Sequence, residues 1–145
     1  MDIRTAIKII SFYHKDQKYG EMSYFLHPVE VANEVLNPTH DEYLAALMHD
    51  LLEDCNLTES TLRAIVQKEV VDMVVLLTKD KNLTYEENIQ KIIDSGNIGA
   101  MKVKLADNTV NMRGDKSDMA QSRKEKLETR YQRSIEMLIK ALEIK

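Results

Sequence analysis

The segment Ala45-Ala46-Leu47-Met48-His49-Asp50-Leu51-Leu52-Glu53-Asp54 ends an apolar helical pattern with one imidazole and three carboxylates. Residues three and four apart share a helix face, which stacks His49 over Glu53, and Asp50 over Glu53 and Asp54. Acids crowded behind an apolar face repel one another, and a bound cation is the simplest compensation. A helix end that has reached solvent fits the same residues about equally well, because the helix dipole opposes acids there and water then has to screen them.

Two further residues bear on that choice. His27 precedes Pro28 and taken alone suits a helix cap or a core histidine. Asp107 has Val103, Ala106 and Val110 as helical neighbours, so this acid lies on or beside an apolar face, with Asn111 one turn on. Two imidazoles and two carboxylates together make a donor set for manganese, iron or zinc. Drawn from three separate helices, they are a reasonable way to build a cavity in a helical domain.

The elements that position these residues read as helices throughout. Glycine and proline together are 4 + 2 residues of 145, about 4% against an average near 12%, and so little punctuation favours long helices. Apolar spacing gives helices over residues 2 to about 16, from His27-Pro28 to Asn37-Pro38, and from Thr39 through Leu51. Further helices follow around Leu62 to Val66, from Val70 to Thr78, from Thr84 to Ser95-Gly96, from Ile98 to Met112, and through Leu127 to Leu142. Polar stretches at Lys15–Ser23, broken by Gly20, at Lys79–Asn82 and at Gly114–Ser117 read as loops. The expectation is an all-α protein, one helical bundle of about eight helices, with residues 1–145 a single domain.

Composition narrows the function. Twenty basic and 24 acidic residues leave a net charge of −4, which argues against a duplex nucleic-acid binder. The longest apolar run, Val70–Leu77, is interrupted by Asp72 and falls far short of the ~20 residues of a membrane span. Cys55 is the single cysteine, so no internal disulfide forms. Met1-Asp2-Ile3-Arg4 does not open a signal peptide. A soluble, cytoplasmic protein is expected, with no membrane partner.

The order His27-Pro28, His49-Asp50 with Glu53-Asp54, Lys104-Leu105-Ala106-Asp107 and Asn111-Met112-Arg113 resembles the HD-domain hydrolases of the RelA/SpoT type. Within them it is closest to the short stand-alone alarmone hydrolases that include the metazoan SpoT homologue. The similarity runs from about His14 to Tyr131, with His14 to Gln17 and Leu76-Leu77-Thr78-Lys79 as supporting pieces. The resemblance implies an all-helical fold and a divalent metal, usually manganese, held by His27, His49, Asp50 and Asp107. It implies that Glu53 and Asp54 position and activate the attacking water, and that Lys81, Asn111 and Tyr131 contact a phosphorylated nucleotide. Metal-assisted phosphoester hydrolysis follows, with Glu53 or Asp54 trading a proton. The implied reaction removes the 3′-diphosphate of ppGpp or pppGpp, and with no synthetase domain following, only degradation of the alarmone is expected.

The chain departs from the resemblance at Asp107-Asn108, where an Asp-Arg or Asp-Lys pair is common and Val110 follows at a position often aromatic or histidine, and in one loop. Family members place two adjacent basic residues after the matched glutamine, whereas Gln17 is followed here by Lys18-Tyr19-Gly20. Lys18 then stands as the remaining basic contact to substrate beside an aromatic ring, and weaker discrimination between bases is expected. The altered loop motivates one alternative, a phosphatase acting on NADPH or a 3′-phosphorylated nucleotide. A second, of a different class, is a nucleotide-binding or protein-interaction HD module without turnover, which loss of a metal ligand would favour, and none is lost.

Overall fold

Thr39 starts the helix on which much of the core depends. Its hydroxyl accepts from the Glu42 backbone N–H while the Glu42 carboxylate accepts from the Thr39 N–H, so two otherwise orphaned groups satisfy each other. The computed structural model describes residues 1–19, 22–23, 26–114 and 119–144. Among these it contains nine helices: α1 (Ile3–Tyr13), α2 (Leu26–Glu34), α3 (His40–Met48), α4 (Leu51–Asp54), α5 (Glu59–Ile65), α6 (Lys68–Leu77), α7 (Tyr85–Asp94), α8 (Ile98–Arg113) and α9 (Gln121–Ile144). The fold is all-helical apart from one small hairpin.

Helix α3 buries every residue from Leu44 to Met48 and packs against α1, α2, α6 and α8. Helix α8 is its counterpart, packed against α2, α3, α6, α7 and α9. Residues on several of its faces are buried, including Met101, Val103, Ala106 and Val110, as a helix surrounded by others requires. Gly99 marks the tightest approach: a Cβ there would stand 2.6 Å from Met73 Sδ and 3.0 Å from Glu42 Cγ. Helix α9 lies along α8 and α7 and buries Leu138. The Val70–Val75 run is helical, as the apolar spacing predicts, and packs against α3.

Two elements differ from expectation. The helix expected to run unbroken from Thr39 through Leu51 is interrupted at His49-Asp50, where the chain turns before α4 begins. That break sets off a short extra helix within the expected bundle of about eight and takes His49 out of the stack, while Asp50 caps α4 and stays one turn from Glu53 and Asp54, its carbonyl accepting from the Asp54 N–H at 2.9 Å. Within the stretch read as a loop, Lys18–Tyr19 (β1) pairs antiparallel with Met22–Ser23 (β2), Lys18 opposite Ser23 and Tyr19 opposite Met22. Two residues a side are too few to show strand alternation in a sequence. Gly20, and the loop expected beyond Gly114, lie outside the described residues.

Candidate metal centre

The turn at His49-Asp50 is what creates the site. His49 caps α3 with its backbone N–H on the Ala46 carbonyl, and its ring Nδ1 lies 2.6 Å from the same oxygen. A carbonyl can only accept, so Nδ1 carries the proton and donates. The opposite nitrogen, Nε2, is buried with no hydrogen bond of good geometry, yet it stands 3.2 Å from Asp50 Oδ2 and 3.3 Å from Asp107 Oδ1. His27 Nε2, from α2, stands 3.2 Å from Asp107 Oδ1 and 3.9 Å from Asp50 Oδ2. The ligating atoms of His27, His49 and Asp50 all fall within 4.8 Å of one another. Four groups expected from sequence to converge thus do so, although 80 positions separate His27 from Asp107.

Charge decides what this cluster needs. Burial pushes His49 down, but the Asp50 and Asp107 carboxylates together outweigh it and hold the imidazole well above its ordinary value. Burial likewise works to raise Asp107, and the Lys104 ammonium and His49 reverse it, leaving the carboxyl well below the usual range. In both cases the pocket demands positive charge beside two carboxylates. A divalent cation meets that demand with the neutral Nδ1–H tautomer that the Ala46 carbonyl selects, so the residues present fit a metal.

A cavity of about 240 Å³ opens over the cluster, walled by His27, Asp50, Glu53, Asp54, Lys104, Asp107 and Asn111. Glu53 and Asp54 reach it from α4. Partial desolvation, then the charge of Asp50, holds the Glu53 carboxyl above the usual carboxylate range against the pull of Lys104. Asn111 lies one turn beyond Asp107 and donates to its Oδ1 at 3.3 Å.

His14, buried to 1% exposure, holds Gln17 Oε1 at 2.7 Å from its Nδ1, and the Gln17 amide donates to the Asp54 carbonyl at 2.8 Å. Cys55 Sγ donates to the Tyr13 carbonyl at 3.4 Å. The segment His14–Gln17 therefore fixes the end of α4 to α1.

The remaining residues expected at the substrate divide. Tyr131, on α9, is partly buried with its ring 6.2 Å from that of Tyr85. Lys81 is exposed on the loop between α6 and α7 and is not part of the cavity wall. Lys18 lends its backbone to β1, and its side chain lies outside the described residues.

The HD domain family matches residues 6–138. The chain belongs to this family. The HD domain is 39% identical over 101 residues to a guanosine-3′,5′-bis(diphosphate) 3′-pyrophosphohydrolase of Haemophilus influenzae, covering 62% of this chain and 15% of that one. It is 31% identical over 129 residues to the GTP pyrophosphokinase rsh of Brucella ovis, covering 77% and 17%. It therefore spans less than a fifth of the length of these curated relatives. Among solved structures it superimposes, with a TM-score of 0.75, on a metazoan orthologue of SpoT that hydrolyses ppGpp; the match covers 97% of this chain and 90% of that one at 21% identity. No helix among the described residues of the HD domain is long and apolar enough to cross a membrane.

Three side chains carry no assignment from sequence: Lys104 lines this cavity, and Tyr85 and Arg130 line an adjoining one. Lys104 has its Nζ 3.2 Å from Asp107 Oδ2 and 5.5 Å from the centre of the Tyr85 ring. Burial works against the ammonium, and Asp107 more than restores it, so Lys104 stays charged. Tyr85 is bonded through its hydroxyl to Asn108 Oδ1, and burial pushes its phenol up to about 12. Arg130 places its guanidinium carbon 5.0 Å from the centre of the Tyr85 ring. The i, i+3 spacing of Lys104 and Asp107 was the available signal for the first of these.

Proposed function

We propose that this HD domain is a metal-dependent phosphohydrolase that removes the 3′-diphosphate of ppGpp or pppGpp. The observation that carries the reading is the convergence of two imidazoles and two carboxylates, with Glu53 and Asp54 on the wall of the same cavity. The names of the relatives and of the structural neighbour support the substrate class.

His27, His49, Asp50 and Asp107 would hold the ion, and their mixed nitrogen and oxygen donors suit Mn²⁺. Bound there, a divalent ion would supply neutralisation of the phosphoryl oxygens and a more acidic water. Glu53, its carboxyl above the ordinary range, takes the proton of the attacking water and can return it to the departing oxygen. Asp54, held through its backbone by Gln17, orients that water. The water oxygen bonds to the phosphorus nearest the ribose, the P–O3′ bond breaks, and ppGpp yields GDP and pyrophosphate. Lys104 holds Asp107 in place from the side opposite the imidazoles. Asn111 and Tyr131 act as substrate contacts, and Lys81 reaches substrate only by movement of its exposed loop. A nucleotide substrate goes with a cytoplasmic setting.

The test is direct. Purified protein loaded with manganese should convert ppGpp to GDP and pyrophosphate, and chelation should stop it. Absence of turnover on ppGpp, ppApp and NADPH alike would overturn the enzymatic reading.

A further inference from the structure

The loop that joins α6 to α7, residues 78–84, lies beside the site. Thr78 and Lys79 line, with Glu53 and Asn88, a cavity of about 200 Å³ that shares Glu53 and Lys104 with the metal cavity. The Lys79 backbone N–H donates to the Glu53 carboxylate. That contact ties a side chain of α4 to backbone that belongs to no helix, and such backbone keeps its place only where other groups hold it. Asn88, on the second turn of α7 and 8% exposed, does the holding. Its Oδ1 accepts from the Asp80 N–H at 2.9 Å, and its Nδ2 donates to the carbonyls of Asp80 at 3.1 Å and Thr84 at 3.0 Å, with a longer contact to that of Leu83 at 3.5 Å. One buried carboxamide thus grips the peptides on both sides of Asp80. The first of them starts at the carbonyl of Lys79, the residue whose N–H meets Glu53.

We propose that Asn88 is a positioning residue for hydrolysis: by fixing the backbone at Asp80 it sets the Lys79 N–H against Glu53, and so holds the Glu53 carboxylate at the metal cavity. The proposal rests on the hydrolase reading, because it acts through the side chain assigned there to carry the proton. The neighbouring Ile89 and Ile92 serve the core. What a carboxamide adds is a donor and an acceptor on one rigid plane, which together meet the C=O and the N–H of a single residue. The rest of the loop closes on itself around that residue, with Asp80 Oδ1 accepting from the Asn82 N–H at 2.9 Å and the Asp80 carbonyl from the Leu83 N–H at 3.1 Å. Displacing a reacting group by about 1 Å can cost up to about 100-fold in turnover, so a loop that lets Glu53 drift acts on the chemical step.

The test is a double-mutant cycle. Asn88→Ala should lower kcat for ppGpp about tenfold, with manganese content and KM little changed. In a Glu53→Gln background no carboxylate is left to place, and the same substitution should change kcat by less than about twofold, because residues that act through one another do not add. Lys79→Pro gives a second route should Asn88→Ala fold poorly. It deletes the donated N–H and leaves Asn88 in place, and the extended backbone of Thr78, φ −76° and ψ 126°, is what a following proline requires. It should reproduce the tenfold loss and add nothing to Asn88→Ala. A full tenfold loss in the Glu53→Gln background, or unchanged kcat in both single variants, overturns the proposal. Hydrogen exchange followed by NMR supplies an arm free of turnover. The Lys79 amide should be protected in the wild type and exchange about tenfold or more faster in Asn88→Ala and in Glu53→Ala, while the amides of α3 keep their protection. If the wild type hydrolyses no nucleotide but shows that pattern, the hydrolase reading fails and the anchored loop stands; turnover of ppGpp with a Lys79 amide that exchanges equally in all three proteins has the reverse meaning.

Discussion

Asp107 and Lys104 form a largely buried pair one turn apart on α8, Oδ2 to Nζ at 3.2 Å. Removing the carboxylate has two separable consequences. Asp107→Ala deletes an expected metal ligand, and it also leaves the largely buried Lys104 ammonium without its closest partner, which destabilises the fold by on the order of 1–3 kcal/mol. Adding Lys104→Met should return most of that stability without returning metal or turnover. Urea denaturation and elemental analysis of the three proteins check this. A double variant no more stable than the single one would mean that the pair does not carry the cost.

Glu53→Gln keeps the size and hydrogen-bonding capacity of the side chain and removes its proton-accepting carboxylate. Metal content and nucleotide binding should persist while kcat falls by about 100-fold or more. Unchanged kcat would exclude Glu53 as the proton carrier.

Gln17 touches the backbone of Asp54 and not the cavity, so it acts on the reaction by position. Gln17→Ala should lower kcat by about tenfold, roughly the cost of one misplaced catalytic contact, with KM and metal content little changed. Gln17→Glu cannot donate to the Asp54 carbonyl and should be no better than alanine. If both variants lower metal content in step with kcat, the clamp serves the fold at large and not the placement of α4.

How far all this is legible in the sequence depends on what each residue needs to be understood. The Ala6, Ile10 face of α1 and the Val70–Leu77 helix follow from spacing alone, because their burial repeats with the helical period. The break at His49-Asp50 does not, since acids at i+3 and i+4 continue the helical pattern through the point where the chain turns. Donors as remote as His27 and Asp107 were brought together only by the order of motifs, a likeness that spacing cannot supply. Lys104 reads as a solvated helix lysine until the burial of Asp107 is known. Arg130, on the charged side of α9, looks like an ordinary surface cation, and only the adjoining cavity relates it to the site.

Thr39 connects the stability of the fold to the position of His49, at opposite ends of α3. Thr39→Ala removes the hydroxyl half of the capping box and should cost about 1 kcal/mol. Nine helical residues, the last five of them buried, stand between the cap and the site, so kcat at a temperature well below unfolding should stay unchanged. A drop in kcat as large as that of Gln17→Ala would show that fraying of α3 reaches His49.

Cys55 gives a reporter of the α1–α4 junction. Burial, then the charges of Asp54 and Asp50, pushes its thiol from 9.0 to about 11, and only the protonated thiol can donate to the Tyr13 carbonyl. At pH 8 the thiolate fraction is then about 0.1%, against about 10% at the ordinary value, so alkylation of chelator-treated native protein should run about a hundredfold slower than in urea. The sign for stability follows from the raised value: the contribution is complete below pH 9 and is lost as pH rises toward 11. Cys55→Ala, which cannot titrate, should flatten that part of the stability profile. A cation bound beside Asp50 offsets one of the charges that raise the thiol, so manganese should speed alkylation of the native protein. Equal rates in native and unfolded protein would show that the Cys55–Tyr13 contact does not persist in solution.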